Sequence, residues 1–188
     1  LFGFASYGKV RFHHRSVFEY LAAERLKTLF ESGKMSARAL QRLLFINTRG
    51  KTIVRPSMRP VAGWLALFND RIFEKLRDHE PAVLLNEGDP ESLTQHQRNQ
   101  GLRAYIQRYG LGGWRDLETP AIQIQRFASP ELAHEINQLW GLGIENFEMR
   151  KTLLALIEAG RIVDCANIAQ ELSCNTEAGD YERIQALN

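Results

Sequence analysis

The spacing of apolar positions changes early in this chain. Through the first dozen residues it alternates, with Val10 and Phe12 flanking Arg11 and turn signals at Gly3 and at Ser6-Tyr7-Gly8. That pattern predicts a short β-hairpin, and it is the one strand pair read from the sequence. From Ser16 onward the interval becomes mostly three and four residues. Val17, Tyr20, Leu21, Leu26, Leu29 and Phe30 mark the apolar stripe of a long helix, and Gly33 closes it from the position beyond its end.

Helical punctuation then repeats to the end of the chain. Ser36 caps a helix carrying Leu40, Leu43, Leu44 and Ile46, followed by a loop with Arg49-Gly50-Lys51 and Pro56. Ser57 is placed to cap a helix with Pro60 in its first turn and Val61, Trp64, Leu65 and Phe68 on its face. Asp70 opens the next, through Ile72, Phe73 and Leu76, and Glu80-Pro81 begins a short one with Val83, Leu84 and Leu85 that Gly88-Asp89-Pro90 stops. Thr94 and Gln97 have capping-box spacing ahead of Leu102, Tyr105, Ile106 and Tyr109. After a loop from Gly110 to Pro120 come three closely spaced helices. They are capped by Ser129, Asn146 and Asp164, and Gly160 ends the middle one. The expected fold is all-α, a short N-terminal hairpin followed by an α-solenoid in which short helices stack on their neighbours.

Composition narrows the function more than it specifies it. At 188 residues, 44% hydrophobic and 24% charged, the chain is ordinary for a globular protein with one or two cores. It has no run of about 18 apolar residues, the length a membrane span needs. A net charge of +2 argues against nucleic acid as a partner, and the cluster Arg49, Lys51, Arg55 and Arg59 reads as a solvated face. Cys165 and Cys174 lack the spacing of a zinc site and read as buried thiols of a reducing cytosol, so the expected location is cytoplasmic.

Chemistry-bearing motifs are nearly absent. Gly50-Lys51-Thr52 matches the end of a P-loop, but the glycine required five residues before Gly50 is Phe45, and Pro56 blocks the helix that should follow. His13, His14, His79, His96 and His134 show no metal-chelating spacing, and Glu118 and Glu131 lack a distinguishing context. The chain is therefore expected to have no catalytic residue, no metal ligand and no complete active site.

One segment is specific: Val10-Arg11-Phe12-His13-His14-Arg15-Ser16-Val17-Phe18-Glu19-Tyr20-Leu21-Ala22-Ala23. It resembles the end of the winged-helix domain in NACHT-type STAND NTPases, the group of animal NLR receptors and many bacterial antiphage proteins. Phe12, His14, Ser16, Glu19, Tyr20, Ala22 and Ala23 follow the family pattern. Phe18 stands where glutamine is usual, and Val17 replaces the more usual phenylalanine. More loosely, the stretch from Arg55 to Ala66, with Glu80-Pro81 and Leu84-Leu85, is similar to the helical region after the switch module. Asn146 to Arg150 with Leu153 to Ile157 is similar to the second helix of a HEAT-like repeat.

The resemblance implies an interior fragment of a larger ATPase switch. Residues 1–33 would be the C-terminal edge of a winged-helix domain, 34–110 a helical linker domain and 111–188 HEAT-like repeats. His14 would sense the β-phosphate of ADP, while ATP or ADP with Mg²⁺ would be held mainly elsewhere in the parent protein. A protein trigger, such as a phage protein, and self-oligomerisation are the implied partners. A helical-repeat scaffold that binds protein with no nucleotide link is the alternative reading.

Overall fold

The computed structural model describes residues 2–4, 10–12, 14–113, 115–175, 179 and 183–184. The predicted turn at Ser6-Tyr7-Gly8 and His13 lie outside them. The chain is mainly helical, as expected of an all-α protein, and divides into two compact units, Leu1–Gly88 and Asp89–Asn188. That division falls inside the stretch 34–110 read from the sequence as one domain. Among the described residues no helix is long and apolar enough to cross a membrane.

In the first unit, β1 (Phe2–Phe4) pairs antiparallel with β2 (Val10–Phe12), so Gly3 lies within a strand rather than at a turn. Helix α1 (Arg15–Glu31) follows and ends where Gly33, at φ 70°, donates its N–H to the Phe30 carbonyl. Ser36 caps α2 (Ala37–Leu44) by accepting from the Ala39 N–H at 3.1 Å. At Phe45 the sequence expectation fails. Ile46 belongs to a second hairpin, β3 (Phe45–Thr48) with β4 (Lys51–Val54), so the N-terminal pair is not alone. Arg49 and Gly50, both at positive φ (50° and 75°), form the two-residue turn. Such a turn matches the right-handed twist of the strands, and glycine accepts its second position without strain.

The chain next turns through a 3₁₀ segment, Pro56–Met58, into α3 (Arg59–Ala66). Ser57 is inside that segment and caps nothing, because the 3₁₀ turn occupies the place of the expected helix start. Asn69 caps α4 (Asp70–His79), with Asp70 in the first turn, and α5 (Ala82–Asn86) completes the unit. Helix α1 packs on α3, bringing Tyr20 edge-on to Trp64 at 5.0 Å and Lys27 over the Phe68 ring at 4.4 Å. Glu80 ties three elements together, accepting from the Val54 N–H and from the Arg59 guanidinium.

Glu87 closes the first unit with a titration signature. Its burial, reinforced by the Glu19 charge, raises the carboxyl pKa above the ordinary 4.5, against the opposing pull of Arg59 and Arg15. The folded state therefore holds this proton more tightly than the unfolded chain does. The group's stabilising contribution is complete below the unfolded value and is lost as pH rises through the folded one. Glu87→Gln should accordingly flatten the fall in stability as pH rises above about 4.5. Denaturation midpoints measured from acid to neutral pH would test this, and an unchanged pH slope in the variant would rule it out.

The second unit opens with a 3₁₀ turn (Pro90–Ser92) and α6 (Gln95–Tyr109), whose Thr94–Gln97 capping box forms as read from the sequence. Arg98 of α6 donates to the carbonyls of Leu93 and Phe127, both at 3.2 Å, and of Glu91 at 2.6 Å, pinning the end of α7 (Ala121–Phe127). A 3₁₀ turn capped by Ser129 leads into α8 (Ala133–Gly141). Buried Glu135 of that helix receives a two-pronged bond from Arg103, at 2.8 and 2.7 Å.

Helix α9 (Phe147–Gly160) ends at Arg161, which adopts the left-handed conformation at φ 48°, so Gly160 is the last helical residue and not the reversal point. Asp164 lies within another 3₁₀ turn, Val163–Cys165, and does not cap α10 (Ala166–Cys174). Cys165 is buried as expected, and that burial, then the Asp164 charge, raises its thiol pKa; Cys174 is exposed, contrary to the expectation for both thiols. The unit's core gathers Leu102, Tyr105, Ile106, Phe127, Ile136, Leu139, Leu153 and Leu156.

Candidate functional site

His14 sits at the junction of β2 and α1, in extended backbone (φ −114°, ψ 125°) at the helix N-cap position. Its side chain makes no capping hydrogen bond, the first turn holds no acidic residue, and the residue is exposed. An imidazole here stands beside backbone N–H groups that lack partners within the helix, a combination suited to an anion.

Neighbouring motif residues have identifiable structural work. Arg15 donates to Glu19 one turn later at 2.7 Å, Tyr20 meets Trp64, and Ala23 is fully buried. Small Ala23 is what lets α1 approach the rest of the unit closely. Phe18 and Leu21 remain 56% and 45% exposed, three residues apart and hence on one helix face.

The junction fits only part of a nucleotide. It supplies an imidazole and helix amides, enough for one phosphoryl group, and among the described residues no cradle for a triphosphate. Gly50-Lys51-Thr52 spans the second hairpin's turn and the start of β4, not a loop leading into a helix. Among the described residues no group of three His, Cys, Asp or Glu side chains is placed to hold a metal ion. His96 and His134 are each engaged with a glutamine one turn on, Gln100 at 2.9 Å and Gln138 at 3.0 Å.

The second unit holds a cavity of about 210 Å³, lined by both polar and apolar groups, that the sequence did not signal. Glu148, buried near the start of α9, accepts from the backbone N–H of Arg115 at 2.6 Å and of Leu117 at 2.8 Å, shaping one wall. Thr119, Thr152 and Lys151 add polar groups, and Ile124 and Phe147 add apolar surface. Burial raises the Tyr105 hydroxyl pKa, an effect eased by the neighbouring Thr119 and Thr152 hydroxyls. Asp116 and Glu118 also line the cavity, which has room for a small polar group.

No family model matches this chain, and no curated protein or solved structure matches it.

Proposed function

We propose that this chain is a regulatory and sensor segment of a NACHT-type STAND NTPase, of the kind used in bacterial antiphage defence or related signalling. The observation that carries the reading is the position of the Phe12-to-Ala23 motif across a hairpin-to-helix junction, with His14 exposed and uncapping at the helix start. In this reading His14 donates to the β-phosphate of ADP and favours the closed state. The exposed pair Phe18 and Leu21 gives α1 an apolar face for the rest of the winged-helix domain. The P-loop and the Mg²⁺ site lie about 200 or more residues upstream on the same cytoplasmic polypeptide, the room taken by two domains of typical size.

The downstream helices, arranged as HEAT-like repeats, recognise a protein trigger. Trigger binding shifts the population only through its preference for the open state. Self-oligomerisation of the parent follows and turns on an effector.

The test uses the full-length polypeptide purified with its nucleotide. Loss of a hydrogen bond to a charged group costs about 1.5–3 kcal/mol, so His14→Ala should raise the ADP dissociation constant about tenfold or more. Activity without trigger should rise with it. Unchanged ADP release together with unchanged basal activity would remove the phosphate-sensing role.

A further inference from the structure

Beside the second hairpin runs an open groove of about 220 Å³ whose lining is basic and contains no acidic side chain. Arg38, Gln41 and Arg42 come from α2, Asn47 from β3 and Lys75 from α4, with the Phe45 ring 4.9 Å from the Lys75 ammonium. Among the described residues none of these three cations forms an ion pair. Arg38 and Arg42 stand one helical turn apart, an arrangement of like charges that disfavours the helix. The Arg55 guanidinium adds a further positive charge nearby by donating to the Arg42 carbonyl at 3.4 Å.

The amides sharpen the preference. Lys75 donates to the Gln41 side-chain oxygen at 3.4 Å, and the Thr52 hydroxyl donates to that of Asn47 at 2.8 Å. Both acceptor ends are thereby engaged, which leaves the two NH₂ groups as what these side chains offer a ligand. The groove presents two guanidiniums, an ammonium and two amide donors, with the carboxylates needed to neutralise them missing from its wall.

We propose that this groove binds a small phosphorylated molecule through its phosphoryl group. A phosphomonoester carries nearly two negative charges at neutral pH and three terminal acceptor oxygens, so it can use a set of donors that would exceed the needs of one carboxylate. The volume lies below the roughly 300–1,000 Å³ of sites for drug-sized ligands, which limits the remainder to a short carbon skeleton. Phe45 and Ile46 provide the apolar surface for that part. The inference does not depend on the STAND reading, and the groove shares no residue with the His14 junction.

Calorimetric titration of the 188-residue chain with glycerol 3-phosphate at about 0.15 M salt, where the Debye length is about 8 Å, tests it, with glycerol and acetate as comparisons. Saturable one-to-one binding is expected, with glycerol inert and acetate weaker. Arg42→Gln and Lys75→Gln should each weaken binding about tenfold, the size of losing a charged hydrogen bond. The double change Arg49→Gln/Lys51→Gln removes two positive charges from the hairpin's turn end, outside the groove lining, and should leave affinity within about threefold, since exposed charges are screened over a Debye length. Circular dichroism of each variant separates lost binding from lost folding. The proposal fails if binding does not saturate, or if the turn-end variant loses as much as the groove variants. It also fails if single-stranded DNA binds with an affinity that grows with length and depends equally on both sets, since that is diffuse attraction to a polyanion.

Discussion

Gly63→Ala is expected to destabilise the first unit by about 2–3 kcal/mol, the upper part of the range for overpacking a close contact. Replacing glycine within a helix would by itself help by about 1 kcal/mol. Here the added Cβ would stand 2.8 Å from the Glu87 carbonyl carbon and 2.9 Å from its oxygen. Those are backbone atoms, so relief requires α3 to move away from the segment that ends α5. The contact is reciprocal: a Cβ on Gly88 would lie 2.7 Å from the Gly63 carbonyl carbon, and Gly88 also has φ 69°. Gly88→Ala should therefore lose at least as much as Gly63→Ala. Gly33→Ala isolates the conformational part, because Gly33 has φ 70° but nothing within 4 Å of the added carbon. It should cost only about 1–2 kcal/mol, the penalty of an L-residue in left-handed backbone. Urea unfolding of the three variants supplies the ordering, and a Gly63→Ala protein as stable as the parent would show that α3 and the Glu87–Gly88 backbone do not need this close approach.

What the sequence revealed was mainly short-range. Ser36, Thr94, Ser129 and Asn146 all cap where they were expected to, because a cap is a hydrogen bond closed within two or three residues. Ser57 and Asp164 have the right chemistry, yet each falls within a 3₁₀ turn that shifts the helix start by a few residues. The second hairpin was hidden by two local ambiguities. Ile46 continues the apolar spacing of α2, and Arg-Gly is a weaker turn signal than the Asn-Gly or Asp-Gly that usually marks such a turn. Its β-branched run Thr52-Ile53-Val54 was the available clue.

The candidate sites divide along the same line. His14 was legible because its motif is contiguous, and the structure adds its exposure and the absence of a cap. The basic groove and the Glu148 cavity were not legible, since their contacts join residues far apart in sequence. Lys75 and Gln41 are separated by 34 positions, Arg115 and Glu148 by 33. Arg38 and Arg42 look like ordinary solvated charges until α4 and the second hairpin are placed beside them.

Asn146→Ala is expected to cost the second unit about 2–3 kcal/mol, more than the roughly 1 kcal/mol of a typical N-cap. The excess comes from the other end of the same amide. Its oxygen accepts from the Glu148 N–H at 2.8 Å and the Met149 N–H at 3.3 Å, while its nitrogen donates to the Gly113 carbonyl at 2.8 Å. The backbone joins in, as the Asn146 N–H donates to the Gly110 carbonyl at 2.9 Å. Asn146 is only 1% exposed, so the groups left behind by alanine would have limited access to water. Asn146→Asp separates the two functions: it keeps an oxygen for the helix amides, with a charge the α9 N-terminus favours, but removes the donor to Gly113. Its loss should fall between those of the parent and Asn146→Ala, and amide exchange should quicken in the loop before Pro120 while α9 stays protected. If Asn146→Asp matched the parent in both stability and exchange, the bond to Gly113 would contribute nothing, and the cost of Asn146→Ala would belong to the cap alone.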